Sequence, residues 1–171
     1  NKNIKIHLLC NKSSNPVLPS SINNNFSIHF TNNFTFLFKI IIIQIKYKFN
    51  VLHVHGLWNL STIYAALSTY IFNLKLVISP RGALQPWALT QNKYQKKIFL
   101  FCFKIIFSKK ISYFHSTSQS EFESINKAFK KSRIILIPNG FNTLKINYSY
   151  SYNKPKNIAL YLSRIHKSKG I

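Results

Sequence analysis

VLHVHGLWNLSTIYAALSTYIFNLKLVISPRG, Val51 to Gly82, decides the fold. Its two ends, VLHVH and KLVISP, are short β-branched runs of strand character, and LSTIYAALSTYIF between them reads as a helix. Strand, helix and strand in so short a span make a β-α-β unit, whose strands run parallel. The same rhythm extends both ways. Upstream, IKIHLLC and FSIHF read as strands, and Phe34 to Phe49 reads as a helix. Downstream, Pro86 to about Phe107 is a helix, ISYFHSTS a strand, SEFESINKAF a helix and RIILIP a strand. This alternation predicts an α/β fold with a parallel sheet and helices on both faces. From Asn142 the chain turns to Tyr, Ser, Asn and Lys, with Pro155, which reads as a linker over 142–156. NIALYLSRI then opens a new strand, so the expected organisation is a first domain over 1–141 and the start of a second over 157–171.

The bulk numbers fit one globular domain: 171 residues, 46% of them hydrophobic. Charge is the outlier, with 24 Lys plus Arg against 2 Asp plus Glu, a formal +22. Such a balance fits a polyanionic partner, nucleic acid or an anionic membrane. The lysines are scattered, however, and Asn, Ile, Lys, Phe and Tyr together dominate, as in a chain shaped by AT-rich coding. Most of the charge therefore reads as compositional. Cys10 and Cys102 carry no Cys-x-x-Cys spacing and imply neither a disulfide framework nor zinc. A reducing cytoplasm is the simpler expectation. FTFLFKIIIIQIKYKF is broken by Lys39, Gln44, Lys46 and Lys48, short of the ~20 apolar residues that span a membrane. The chain opens on Asn1 rather than Met and is expected to be a fragment.

Four glycines, Gly56, Gly82, Gly140 and Gly170, each follow a strand-like run. Ligands of open α/β sheets bind at the carboxyl ends of the strands, where glycine permits sharp turns and close backbone approach. Trp58 and Trp87 fall in the same places, with packing the plain alternative for each. In a strand His53 and His55 share a face. No carboxylate or cysteine stands near to complete a metal shell, so no metal site is expected. The expected arrangement is a buried His53 and a His55 facing the crevice, able to donate to an anionic or hydroxylated ligand. The two acids, Glu121 and Glu123, lie together in STSQSEFE. Ser118 and Glu121 have the spacing of a capping box, a structural role. Neither a carboxylate pair for glycoside hydrolysis nor a Gly-x-Ser-x-Gly elbow is seen.

Taken together, HVHGLW, SPRGALQPWAL, HSTSQSE, IPNGFN and LSRIHKSKG resemble the family 4 glycosyltransferases, nearest to bacterial members that build surface polysaccharides and lipopolysaccharides. The resemblance runs from about Val51 to Ile171. It implies two Rossmann-like domains of the GT-B type facing a cleft, the first taking the acceptor and the second a nucleotide-sugar donor. It further implies retention of anomeric configuration with no metal and no cofactor beyond the nucleotide sugar. This chain would then be the acceptor-side domain and the first strand of the donor domain. Arg164 and Lys169 match the Arg-x4-Lys-Gly segment whose cations bind the donor diphosphate. A guanidinium fork and a lysine point charge suit phosphate oxygens. Ser163 stands where many members have glycine. Asn139 and Gly140 match the Pro-Asn-Gly turn before the linker, and Asn142 replaces a common Asp. His55, Gly56, Trp58, Arg81 and Gly82 are assigned to the cleft, with no residue named as a catalytic base. The glycine-rich loop near the donor phosphates is not visible, and the paired donor-domain glutamates would lie beyond Ile171. The chain alone is therefore expected to be inactive. Transfer of a labelled sugar by it would contradict that expectation.

The helix QNKYQKKIFLFCFKIIFSKK mixes lysines with aromatics. It suits either burial against the sheet or peripheral contact with an anionic membrane, as on the inner face of the cell membrane. Two other readings stand beside the transferase. One is a basic nucleic-acid-binding module, disfavoured because the aromatics sit within apolar runs. The other is a decayed remnant without activity.

Overall fold

The structure is a computed structural model that describes residues 4–16, 25–140 and Leu162. The chain divides into two compact units, Asn1–Ile137 and Pro138–Ile171. The first unit holds every assigned element. In order these are β1 (Ile6–Asn11), β2 (Phe26–Thr31), α1 (Phe36–Tyr47), β3 (Val51–His55), α2 (Leu60–Phe72) and β4 (Lys75–Ser79). There follow α3 (Pro86–Thr90), α4 (Lys93–Phe107), a 3-10 turn (Ser108–Lys110), β5 (Ile111–Ser116), α5 (Gln119–Ala128) and β6 (Ile134–Leu136).

Among the described residues all strand pairings are parallel, and the fold is mixed α/β, Rossmann-like, as the alternation predicts. The strands form two sheets: β1-β2, and the four-stranded β3-β4-β5-β6. Within the segment Phe34–Phe49 the helix α1 runs from Phe36 to Tyr47. The long helix expected from Pro86 to Phe107 is instead two, α3 and α4, because Asn92 takes a left-handed conformation (φ 50°) between them. Asparagine tolerates that conformation through local side-chain hydrogen bonding, and no sequence periodicity reports it.

Register fixes which side chains meet. Val54, Ile78 and Phe114 are neighbours across three strands. With Leu76 they form the floor of the core, under Ala65 and Ala66 of α2, Phe103 and Phe107 of α4, and Ile125 of α5. Phe114 stacks at a tilt on Phe129, 4.7 Å between centroids. Aromatic pairs of this geometry add to simple area burial. The alternate positions of the same strands carry His53, His55, Lys75, Val77, Ser79 and His115. The cover is uneven, since His53, His55 and Lys75 on this second face stay exposed. The expected linker over 142–156 and strand over 157–171 lie outside the described residues, Leu162 apart.

Candidate functional site

The carboxyl ends of β3, β4 and β5 come together in one polar cluster. Gly56 lies at φ +96°, and its N–H donates to the Ser79 carbonyl at 2.8 Å. A Cβ there would stand 3.0 Å from Asn59 Nδ2, so a larger residue would have to displace that side chain as well as adopt a strained backbone conformation. This bond ties the tip of β3 to the tip of β4. Beyond Ser79, the chain turns with Arg81 (φ 55°) and Gly82 (φ 77°) both left-handed, and Ala83 N–H returns to the Pro80 carbonyl at 3.2 Å. Two positive φ values at the centre of such a turn mark the type I′ geometry. A left-handed arginine is uncommon, and here Arg81 Nε donates to His55 Nδ1 at 3.1 Å.

The Gly82 N–H is held by Glu121 Oε1 at 2.7 Å. The other carboxylate oxygen accepts from Thr117 N–H at 2.8 Å and from Thr117 Oγ1 at 2.9 Å. Ser118 caps α5 through its side chain, which accepts the Glu121 N–H at 3.3 Å. The capping-box spacing is thus present, but the glutamate reaches past the cap residue to Thr117 and across to the loop after β4. Burial, at 2% exposure, would raise this carboxyl's pKa. The donors from Thr117 and Gly82, with the charge of Arg81, outweigh it and hold the group below its ordinary value. Glu121 is therefore a fixed anion that sets the position of the Arg81–Gly82 turn.

A second chain of bonds runs across the sheet. His53 Nε2 lies 2.7 Å from Ser79 Oγ, which lies 2.8 Å from His115 Nδ1, and His115 Nε2 lies 2.9 Å from the Ile137 carbonyl. A carbonyl only accepts, so His115 carries its proton on Nε2. The Ser79 hydroxyl bridges the two rings, bonded to His115 Nδ1 on one side and to His53 Nε2 on the other. By the same logic the Arg81 bond makes His55 neutral, with its proton on Nε2. The His53 and His55 rings stack at 4.5 Å. Desolvation first, then repulsion from His55, His115 and Arg81, lowers the His53 pKa to about 4. His55 is lowered for similar reasons, desolvation ahead of Arg81 and His115. Three imidazoles beside one guanidinium can hydrogen-bond a hydroxylated ligand and attract an anionic one.

The structure brings His55, Gly56, Arg81 and Gly82 together. His53, expected to be buried, is exposed, because it faces away from the Val54 side of the sheet. Trp58 is taken by packing: its ring meets Phe99 edge-on at 5.4 Å, Lys96 Nζ lies 5.4 Å over it, and its indole nitrogen is buried. Asn139 and Gly140 belong to the second unit, where both are exposed. Arg164, Lys169 and Gly170 lie outside the described residues. Ser79 and His115 escaped the sequence reading. The available signal was position, since each stands at the tip of a strand neighbouring the His55 strand. Among the described residues no group of three or more His, Cys, Asp or Glu is disposed to hold a metal.

Residues 1–144 match the family described as Glycosyltransferase Family 4. The chain belongs to glycosyltransferase family 4. The match covers the six strands and five α-helices assigned among the described residues, so the polar cluster lies within the family 4 domain. None of the curated proteins matches the chain.

Proposed function

We propose that this family 4 domain is the acceptor-side half of a transferase that moves a sugar from a nucleotide sugar to a glycan or lipid-linked acceptor. The setting is polysaccharide or lipopolysaccharide synthesis, the anomeric configuration is retained, and neither metal nor cofactor is used. The observation that supports this most is the His55–Arg81 pair at the tips of adjacent parallel strands, the usual ligand edge of such sheets. His55 Nε2–H donates to an acceptor oxygen, Arg81 draws phosphate or carboxylate groups, and Glu121 keeps the Arg81–Gly82 turn in place. Arg164 and Lys169 take the donor diphosphate. The direct test is binding of acceptor-type oligosaccharides and of a panel of nucleotide sugars to the whole chain, with and without EDTA. Arg81→Ala should weaken acceptor binding alone, Arg164→Ala/Lys169→Ala should weaken donor binding alone, and EDTA should change neither. Loss of donor binding on chelation, or acceptor binding indifferent to Arg81, contradicts the reading.

The protein acts on the cytoplasmic side of the cell membrane and touches it through α4. On that helix Tyr94, Ile98, Phe101 and Ile105 are exposed at helical spacing, with exposed Lys93 and Lys97 in its first turns. No helix among the described residues is long and apolar enough to cross a membrane. Co-sedimentation with anionic vesicles should fall in Phe101→Ser/Ile105→Ser and with added salt. Undiminished sedimentation of that variant removes α4 from the contact.

A further inference from the structure

The opposite edge of the four-stranded sheet carries a second concentration of charge. Lys75 opens β4, Ile111 opens β5, and Arg133 stands immediately before β6. The strands are parallel, so their amino-terminal ends share the edge away from His55 and Arg81. A cavity of about 420 Å³ lies there, lined by Lys75, Lys131 and Arg133 together with the hydroxyl-bearing Ser108, Ser112 and Ser132. Tyr113 completes the wall, with the Arg133 guanidinium 6.0 Å over its ring. We propose that this cavity is an anion site for a phosphate-bearing ligand, independent of the crevice at the carboxyl edge and of the glycosyltransferase reading.

Three observations carry it. The lining holds three cations and no acid. The chain's two acidic residues, Glu121 and Glu123, sit in the first half of α5 and away from Lys131, which follows that helix. A helix carboxyl end attracts cations by its dipole, and that would account for Lys131. It does not account for Lys75, the first residue of β4, or for Arg133, which precedes β6. Finally, three serine hydroxyls line the same cavity as an arginine held over an aromatic ring. A guanidinium fork, ammonium point charges and hydroxyl donors are the groups that bind phosphoryl oxygens. The ring beneath Arg133 restrains the fork, which lessens the entropy lost on binding.

Calorimetric titration of the whole chain with inorganic pyrophosphate tests the site, and vesicles containing phosphatidic acid test whether a lipid headgroup is its natural source. Lys75→Gln/Arg133→Gln should bind pyrophosphate at least about tenfold more weakly than the parent, given the strength of charge-assisted hydrogen bonds. A charge-matched control, Lys5→Gln/Lys12→Gln on exposed residues far from this edge in sequence, should bind like the parent. If vesicle binding falls in the same double variant, the phosphate is that of a lipid; if only pyrophosphate binding falls, it is that of a soluble ligand. Both results support the site. No pyrophosphate binding by the parent, or equal weakening in the control, overturns it. Where the double variant fails to fold by circular dichroism, the exposed Lys75→Gln alone gives the same reading.

Discussion

Glu121 bears more of the site's architecture than any other single side chain. It is 2% exposed and accepts three hydrogen bonds from two loops. Glu121→Gln turns one acceptor oxygen into an N–H donor facing an N–H. That should cost about 2 kcal/mol in urea unfolding, the scale of a lost charge-assisted bond. The loss should shrink in acid, because a carboxyl with a lowered folded pKa contributes its stability above the unfolded value and surrenders it as pH falls through the folded one. His53 acts through the opposite charge. Its folded pKa is about 4 against an ordinary 6.5, so between those values the unfolded chain binds the extra proton. Stability should therefore fall as pH drops from about 6.5 toward 4, and His53→Gln should flatten that part of the profile in thermal melts. A profile unchanged by the substitution would mean that His53 titrates normally in the folded chain. Sequence reading paired Ser118 with Glu121 through their spacing. It did not reveal that the carboxylate spans to Gly82, because that bond joins residues 39 apart in the chain and depends on the turn after β4.

At the scale of elements, scarce glycine leaves its mark. Only four glycines serve 171 residues, and lysine and asparagine take left-handed positions elsewhere: Lys48 after α1, Asn73 after α2, Asn92 between α3 and α4, and Lys131 after α5. Lysine there carries a steric cost of about 1 kcal/mol that glycine avoids. Lys48 is exposed, and its N–H closes on Gln44 at 2.8 Å, so Lys48→Gly keeps the bond and relieves the strain. It should raise the melting temperature by roughly 2–4 °C, the shift that 1 kcal/mol gives in a chain of this length. A lower melting temperature would show that lysine's side chain matters more there than its backbone. Strand and helix order was legible because periodicity is local: VLHVH and KLVISP alternate apolar and polar positions or carry β-branched runs. The break at Asn92 was not, because the flanking QNKY and PWALT both favour helix and one backbone angle decides between one helix and two. Nor was the division into two sheets, since IKIHLLC reads as a strand whichever neighbour it finds.

For the whole molecule, the surplus of 22 positive charges over 171 residues looks featureless in sequence, where lysines are scattered. Parallel strands sort it. Arg81 falls at the carboxyl edge with three histidines, and Lys75, Lys131 and Arg133 fall at the amino edge around a cavity. That His55, Gly56, Arg81 and Gly82 come together was legible because strand ends in β-α-β units share an edge and glycines mark them. The packing of Trp58 was not legible, because Phe99, the ring it meets, lies on a helix distant in sequence. The central claim is that the carboxyl edge of β3–β5 is where this family 4 domain holds its sugar acceptor. Its most direct test is an NMR titration of the whole chain with neutral and phosphorylated oligosaccharides, reading the histidine imidazoles and glycine amides. The account expects His55 and His53 imidazole signals and the Gly56 and Gly82 amides to move together, and to stay still in Arg81→Ala. Saturable binding that leaves those four signals unmoved would contradict it.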